Sequence, residues 1–429
     1  MRYPLKTLCF VVLPVTLFTA AHAAVPTFSG LTTTPEDHHS RATHVSADGW
    51  SVVGMASTSN GVEAILWRAD SQGKGLGQLA GGRPVSVAYD SSDDGSVVIG
   101  YAVSAEGAEA FRWTERSGMV GLGDLPGGAY ESRANAVSGD GSIVVGWSVS
   151  ASGSEAFRWS ARDGMVGLGD LPGGRFSSEA DGISSDGSVV VGEGNSAQGD
   201  EAFRWTAQTG MVGLGDLPGG NFYSTADDVS ADGSVVVGRS DSESGVEAFR
   251  WTKEDDMAGL GRLSGDCESA ATAVSGDGSI VVGWSGNNSD VEAFIWDRAH
   301  GMRPLARVLT ELGSDLFGWK LTWAVDVSAD GKSIVGAGIG PDRMLGNWIA
   351  TLAPRPKPAS VVASAQDRPA ILIALLVIAA IGIWWRRNTV GDLAICAVRC
   401  NVRHLLGVRF ARRGGCVFEC SADRNRNLT

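Results

Sequence analysis

Residues 134–172 read Ala134-Asn-Ala-Val-Ser-Gly-Asp140-Gly141-Ser-Ile-Val-Val-Gly-Trp147-Ser, then Glu155-Ala-Phe-Arg-Trp159, then Gly164-Met-Val-Gly-Leu-Gly-Asp170-Leu-Pro172. Each piece has the β-branched, aromatic character of a strand, and none has helical periodicity. Asp-Gly supplies the positive φ of a tight hairpin turn, so the segments flanking Asp140-Gly141 are expected to pair antiparallel. Pro172 and the glycine pair after it end the fourth strand and re-aim the chain. Four antiparallel strands in about 46 residues make one propeller blade.

The same stretch recurs along the chain. Asp48, Asp94, Asp140, Asp186, Asp232, Asp277 and Asp330 each precede a glycine, at intervals of 46, 46, 46, 46, 45 and 53 residues. Trp67, Trp113, Trp159, Trp205, Trp251, Trp296 and Trp348 keep the same beat, each about 19 residues behind its Asp-Gly. Such a period signals units that cannot bury a core alone and must stack or close into a ring. A stacked β-solenoid is the rival arrangement, but it requires parallel pairing and leaves the hairpin turns unexplained.

The seventh unit holds only three strands, within 321–352, before the pattern stops. Its missing partner is expected at 26–35, where Gly30-Leu31 stands upstream of the first Asp-Gly much as Gly121-Leu122 stands upstream of the third. The expectation is therefore an all-β, seven-bladed β-propeller of four-stranded antiparallel blades, closed by an N-terminal strand that removes the open edge, plus a C-terminal transmembrane helix.

The recurrent string x-Ala-Phe-x-Trp, Gly-Met-x-x-Leu-Gly-x-Leu-x-Gly-Gly, Ser-x-Ala-x-x-Val-Ser-x-Asp-Gly-x-x-Val-Val-Gly resembles the bacterial extracellular HAF-repeat family. Its clearest copies are 109–113 with 118–128, 155–159 with 164–174, and 201–205 with 210–220, and the resemblance covers 40–353. The family's name-giving His is Glu here, at Glu63, Glu109, Glu155, Glu201, Glu247 and Glu292. The resemblance implies export and a propeller, and carries no assigned chemistry.

Charge divides the chain. Residues 24–354 hold 44 acidic and 21 basic side chains, whereas 386–429 hold nine arginines and three acids. An acidic repeat domain excludes nucleic acid as a partner, because a phosphate backbone demands clustered Lys and Arg. Residues 1–23 read as a signal peptide, with Arg2 and Lys6, an apolar run over 8–17 and Ala21-His22-Ala23 as the cleavage site; an uncleaved anchor is the alternative.

The propeller is assigned to 24–353, a linker to 354–368 and a transmembrane helix to 369–385, which ends in Trp384-Trp385 and is followed by Arg386-Arg387. The layout is similar to C-terminal sorting anchors of exported bacterial proteins, without their Pro-Glu-Pro tripeptide. The basic tail 386–429 is expected to be cytoplasmic or disordered. It carries Cys396, Cys400, Cys416 and Cys420, which are weak zinc candidates because their spacing is atypical; contact with anionic lipid is the other reading. Cys267 is alone in the repeats, so these gain no disulfide from their own thiols.

Catalytic signatures are missing. No H-E-x-x-H spacing accompanies His38, His39, His44 or His300, no nucleophile elbow sits between a strand and a helix, and the glycines mark turns. Asp93, Asp94, Asp227, Asp228 and Asp232 are candidate Ca²⁺ ligands, with turn aspartates bonding their own backbone as the plainer reading; no cofactor is otherwise expected. Arg112, Arg158, Arg204 and Arg250 recur between Phe and Trp, and Asp124, Asp170 and Asp216 follow the first three by 12 residues. That spacing suggests a structural Arg–Asp bracket, or else a ring of arginines for a ligand. Trp50, Trp147, Trp284, Trp319 and Trp323 stand outside the repeated series, as sugar-stacking platforms or as wedge fillers between blades.

The resulting expectation is an exported, membrane-anchored, non-enzymatic binding module for an envelope polymer, glycan or protein partner. A propeller enzyme acting on extracellular glycans, or a purely structural surface protein, is the alternative. A cluster of unrepeated groups around His300, Asp315 and Trp319 at one channel mouth would favour the enzyme.

Overall fold

Each Asp-Gly pair turns the chain as its chemistry requires. Asp140 Oδ1 accepts hydrogen bonds from Ser138 Oγ at 2.8 Å and from the Ser142 N–H at 2.9 Å, and Gly141 takes a φ of 70°. The pattern repeats at Asp48, Asp94, Asp186, Asp232, Asp277 and Asp330. Side-chain capping of the turn's own backbone is thus the role of these seven aspartates.

The computed structural model describes residues 27–31, 40–68, 73–287 and 290–353. The signal peptide, His38, His39, the linker, the apolar segment 369–385 and the tail lie outside the described residues. The chain divides into two units, Met1–Arg355 and Pro356–Thr429, and the description concerns the first. No helix among the described residues is long and apolar enough to cross a membrane.

The described residues form an all-β array of seven consecutive four-stranded antiparallel groups, spanning 40–75, 86–121, 127–167, 173–213, 224–259, 268–304 and 320–351. Single parallel bridges, Glu131 with Ala108 and Ser154 with Ser177, join the second, third and fourth groups laterally. The seventh group has three strands of its own, Lys320–Val327, Ser333–Ile339 and Leu345–Thr351. Its fourth is the N-terminal strand Thr27–Leu31, antiparallel to the last, with Thr27 opposite Thr351 and Leu31 opposite Asn347.

A bulge interrupts the first strand of every unit just after its constant Ala, in the step that reads Ala-x-x-Val in five units, Ala-x-x-Ser at Ala88 and Ala-x-x-Ile at Ala180. The register jumps between Ala42 and His44, and at the corresponding residues of the other six units. Two residues then oppose one, which bends the strand and re-aims side chains. The glycine of the Val-Val-Gly step faces this distortion: a Cβ on Gly146 would lie 2.0 Å from the Arg133 carbonyl oxygen, and one on Gly54 1.9 Å from that of Arg41. No larger residue fits there.

Beside the Asp-Gly turns, main-chain hydrogen bonds run from unit to unit: Asp48 N to Asp93 O, Asp93 N to Gly139 O, Gly139 N to Ser185 O, Ser185 N to Ala231 O, Ala231 N to Gly276 O and Gly276 N to Ala329 O. A seventh, from Ala329 N to Ala47 O at 3.2 Å, joins the last unit to the first. At that seam Asn347 Oδ1 also accepts the Ala42 N–H, and its Nδ2 donates to Ser40 O at 2.7 Å. Elsewhere a serine does this work: Ser132 Oγ accepts the Ala110 N–H and donates to Gly123 O.

The core lies between units. Phe157 of the third unit packs with Val97, Ile99 and Ala110 of the second, and Trp159 and Met165 border the same cluster. The tryptophan series fills these wedges, with Trp67, Trp113 and Trp348 fully buried and Trp159, Trp205, Trp251 and Trp296 partly so. One element departs from the all-strand expectation. The longer last interval contains a helix, Leu305–Glu311, which buries Leu305 and Leu309, one turn apart, in the core between the sixth and seventh units.

Phe28 anchors the N-terminal strand, buried with its ring 6.1 Å from Trp319 and 6.2 Å from Trp348. Phe28→Ala is expected to cost about 3–5 kcal/mol, the range for emptying a buried aromatic site. Urea unfolding reads the loss, and an unchanged midpoint would mean that 27–31 adds nothing to the fold.

Candidate functional site

The bulged first strands of all seven units line one channel, with a cavity of about 230 Å³. Its walls hold residues that the repeat does not keep constant. At the second bulge position stand His44, Asp90, Ala136, Gly182, Asp228, Ala273 and Asp326. The three aspartates tie units together: Oδ2 of Asp90, Asp228 and Asp326 accepts the N–H of Val137, Val274 and Val45 respectively, each in the next unit, at 2.7–2.8 Å. Asp228 is pushed up to about 8 by burial, with the Asp326 and Asp90 charges adding to it.

His44 stands between two of these carboxylates. Its Nδ1 is 2.7 Å from Asp326 Oδ2 and its Nε2 2.9 Å from Asp90 Oδ1, the latter an ion-pair contact outside good hydrogen-bond alignment. Burial acts to lower the imidazole pKa, but the two carboxylates together outweigh it and hold His44 well above its ordinary 6.5. The cation thus bridges the seventh, first and second units.

At the end of the channel away from the Asp-Gly turns, variation is greatest. The residue before the constant Ala and the residue after the constant Gly are register partners there: Arg41 with Met55, Val87 with Tyr101, Arg133 with Trp147, Glu179 with Glu193, Thr225 with Arg239, Ala270 with Trp284, and Trp323 with Ala337. The frame is identical and the chemistry differs from unit to unit. Three of the five unrepeated tryptophans, Trp147, Trp284 and Trp323, occupy these positions.

The mouth has two unlike halves. On one side Arg133 lies 4.8 Å from the Tyr101 ring and 5.3 Å from the Trp147 ring, beside a cavity of about 370 Å³ that Arg41, Tyr89, Asn135 and Glu179 also line. Rings with an interleaved guanidinium suit a flat, polar or anionic ligand. On the other side Glu179, Asp181, Glu193 and Asp227 crowd together with Arg239. Loss of hydration pushes Glu193 up to about 7 and Asp227 to about 6, and raises Asp181 well above its ordinary value with help from Glu179, Asp227 and Glu193.

The residues singled out for the Arg–Asp bracket are placed differently. Arg112 Nε donates to Gly141 O at 3.1 Å and Arg204 Nη2 to Gly233 O at 3.4 Å, each reaching the Asp-Gly turn of the following unit. Asp170 instead spends its carboxylate on the Leu171, Ser177 and Asn195 N–H groups. Its local loop outcompetes a side chain 12 residues away, so Arg158 and Asp170 form no ion pair. Burial lowers the pKa of Arg112, Arg204 and Arg250, and none of the four arginines lines the channel or its mouth.

The Glu that recurs four residues before the Trp has a structural task. Glu109 Oε1 accepts the Gly123 N–H at 3.0 Å, and Glu63, Glu155, Glu201 and Glu247 do the same for Gly77, Gly169, Gly215 and Gly261.

His300 and Trp319 do not meet. His300 pairs with Asp297 at 2.8 Å in an exposed hairpin at the Asp-Gly end, while Trp319 packs on Phe28; Asp315 caps the Phe317 N–H. The Ca²⁺ candidates also part: Asp94 and Asp232 cap turns, Asp228 ties units, and Asp227 belongs to the mouth. Asp93 Oδ2 accepts a bond from Ser185 Oγ. Among the described residues no three His, Cys, Asp or Glu side chains come together to hold a metal ion; Cys396, Cys400, Cys416 and Cys420 lie outside them.

No protein-family model matches the chain, and no curated protein does. Among solved structures it is similar to TolB from Acinetobacter baumannii, at 13% identity and a TM-score of 0.40 over 75% of this chain and 86% of that one. It is also similar to oligogalacturonate lyase from Vibrio parahaemolyticus, at 10% identity and a TM-score of 0.48 over 76% and 97%. At these values nothing of either protein's activity is carried over.

His44 sets a pH dependence with a definite sign. Its folded pKa is raised, so its contribution to stability is complete below 6.5 and is lost as pH climbs through the folded value. Asp228 acts in the same direction, its contribution complete below the ordinary 3.8 and lost progressively as pH rises to about 8. Unfolding free energy is therefore expected to fall as pH rises from 6.5 to about 8, and NMR titration with His44→Gln as the assignment control should place His44 above 6.5. A His44 pKa at or below 6.5 would contradict the ion-pair geometry.

Proposed function

We propose that this chain is an exported, membrane-anchored, closed seven-bladed β-propeller that binds a component of the cell envelope at the open mouth of its channel, without catalysing a reaction. One observation carries the reading: aromatic and charged residues that break the repeat gather at a single end of the channel, around Arg41, Tyr89, Arg133 and Trp147. A frame of repeated residues bearing unrepeated ones at one rim is what a binding surface needs. The belt of main-chain bonds and the Thr27–Leu31 strand support closure. The multi-part repeat motif supports membership of the HAF-repeat family, and the leader and the apolar 369–385 segment support export and anchoring.

Orientation follows from the register. Thr27 and Thr351 are paired beside Ser333, at the Asp-Gly end, so both ends of the described domain leave by the face opposite the mouth. A second reading, an enzyme acting on extracellular glycans, is favoured by one feature: Glu193, raised to about 7, keeps a proton on a sizeable share of molecules near neutral pH, as a general acid does.

Capture on a glycan array and from envelope extracts tests the binding role. Trp147→Ala is expected to weaken capture by about tenfold or more, roughly 1.4 kcal/mol, with the fold intact by circular dichroism. Capture insensitive to Trp147 and Arg133 would remove the mouth from the account, and release of shortened glycan products would establish the enzyme instead. Protease added to spheroplasts should digest the repeats and spare a tag after Thr429; the reverse pattern would overturn the orientation.

A further inference from the structure

We propose that the acidic half of the mouth is a pocket for an organic ammonium group, so that the ligand of this propeller carries a primary amine. The inference rests on the binding reading above and narrows it to a chemical class. The pocket has a volume of about 230 Å³ and lies across the fourth and fifth units. Glu179 and Glu193 face each other as register partners on adjacent strands, and Asp181 and Asp227 occupy the first bulge position of neighbouring units. Like charges placed opposite one another destabilise a sheet. A positive charge brought in from outside the chain relieves that repulsion.

The chain itself supplies little. Arg239 Nη1 is 3.8 Å from Asp227 Oδ1, and Asn135 Nδ2 donates to Glu179 Oε1 at 2.9 Å and Asp181 Oδ1 at 3.3 Å. A separate observation points to a ligand. Thr225 lines the pocket, is only 3% exposed, and its hydroxyl has no hydrogen-bond partner. Asp227 Oδ2 is likewise buried and unpartnered. Orphaned buried oxygens are costly unless a donor completes them.

An ammonium group fits this set better than a bare metal ion. It brings three N–H donors and a positive charge, and acceptor oxygens are what the pocket offers. The carboxylates surround a space instead of converging on a point, and no three of them close into a metal-holding group among the described residues. Arg133 and Trp147 stand nearby with Glu179, so the remainder of an amine-bearing sugar or peptide has a stacking surface within reach.

Isothermal titration of the full chain with 1,4-diaminobutane, and separately with calcium chloride, at constant ionic strength tests the pocket. The diamine is expected to bind, and Asp181→Asn with Asp227→Asn to weaken it at least about tenfold while raising the melting temperature, because the substitutions relieve repulsion. A purely structural role for these aspartates predicts a lower melting temperature instead. Thr225→Val, which keeps every charge, serves as the second variant and should also weaken binding.

No diamine heat, binding unchanged in both variants, or saturation by calcium in place of the diamine would each overturn the proposal. Trp147→Ala separates the two readings. Capture of polymer that depends on Trp147, in a protein with no diamine heat, sinks the ammonium pocket alone; diamine binding without any polymer capture sinks the broader function alone.

Discussion

Seven main-chain hydrogen bonds, from Asp48 N to Asp93 O through to Ala329 N to Ala47 O, set the radius on which everything else in this domain depends. They use backbone atoms alone, so they constrain position without constraining the side chains around them. Each donor sits beside an Asp-Gly turn that is held rigid by its own aspartate. The bond between the last unit and the first has the same form as five of the six within the series; in the remaining one the donor is Asp48 itself, one residue along. Asn347 and the Thr27–Leu31 strand reinforce that seam, where sequential covalent continuity is missing.

Once the frame is held by repeated Ser, Asp, Gly and Trp residues, the positions between them are free to differ. The bulge after the constant Ala and the glycine opposite it deliver those free positions to the channel and its mouth. Where the side chains carry opposite charges, as with His44 between Asp90 and Asp326, they add ties between units. Where they carry like charges, as with Glu179, Asp181, Glu193 and Asp227, they cost the empty protein stability. That second arrangement is an expense the frame tolerates and a ligand can relieve, which is why the functional reading is placed there.

The fold was legible because its signals are local. Asp140-Gly141 dictates a hairpin whatever surrounds it, and a constant spacing multiplies that certainty across seven units. The strand near Gly30 was legible from a count of strands in the last unit. The helix Leu305–Glu311 was not, because about two turns that bury only Leu305 and Leu309 have too few residues for a period to stand out. Arg158 and Asp170 looked paired because both recur, but the Asp170 carboxylate found backbone N–H partners closer at hand.

The mouth went largely unread for a related reason. Attention to repeated residues passes over the ones that break the repeat, although Trp147, Trp284 and Trp323 were noticed as exceptions. Aligning the units would have set Glu179 beside Glu193 and Arg133 beside Trp147. Register supplied by the Asp-Gly turn is enough for that pairing. The burial of Thr225 and the placement of His44 between two aspartates needed three dimensions.

Native-state amide hydrogen exchange at the belt donors tests the central claim, that the seven units form one closed frame. The N–H groups of Asp48, Asp93, Gly139, Ser185, Ala231, Gly276 and Ala329 are expected to exchange together, at the rate of global unfolding. Fast exchange at Ala329 with slow exchange at the other six would show an open seam between the last unit and the first, and would contradict the account.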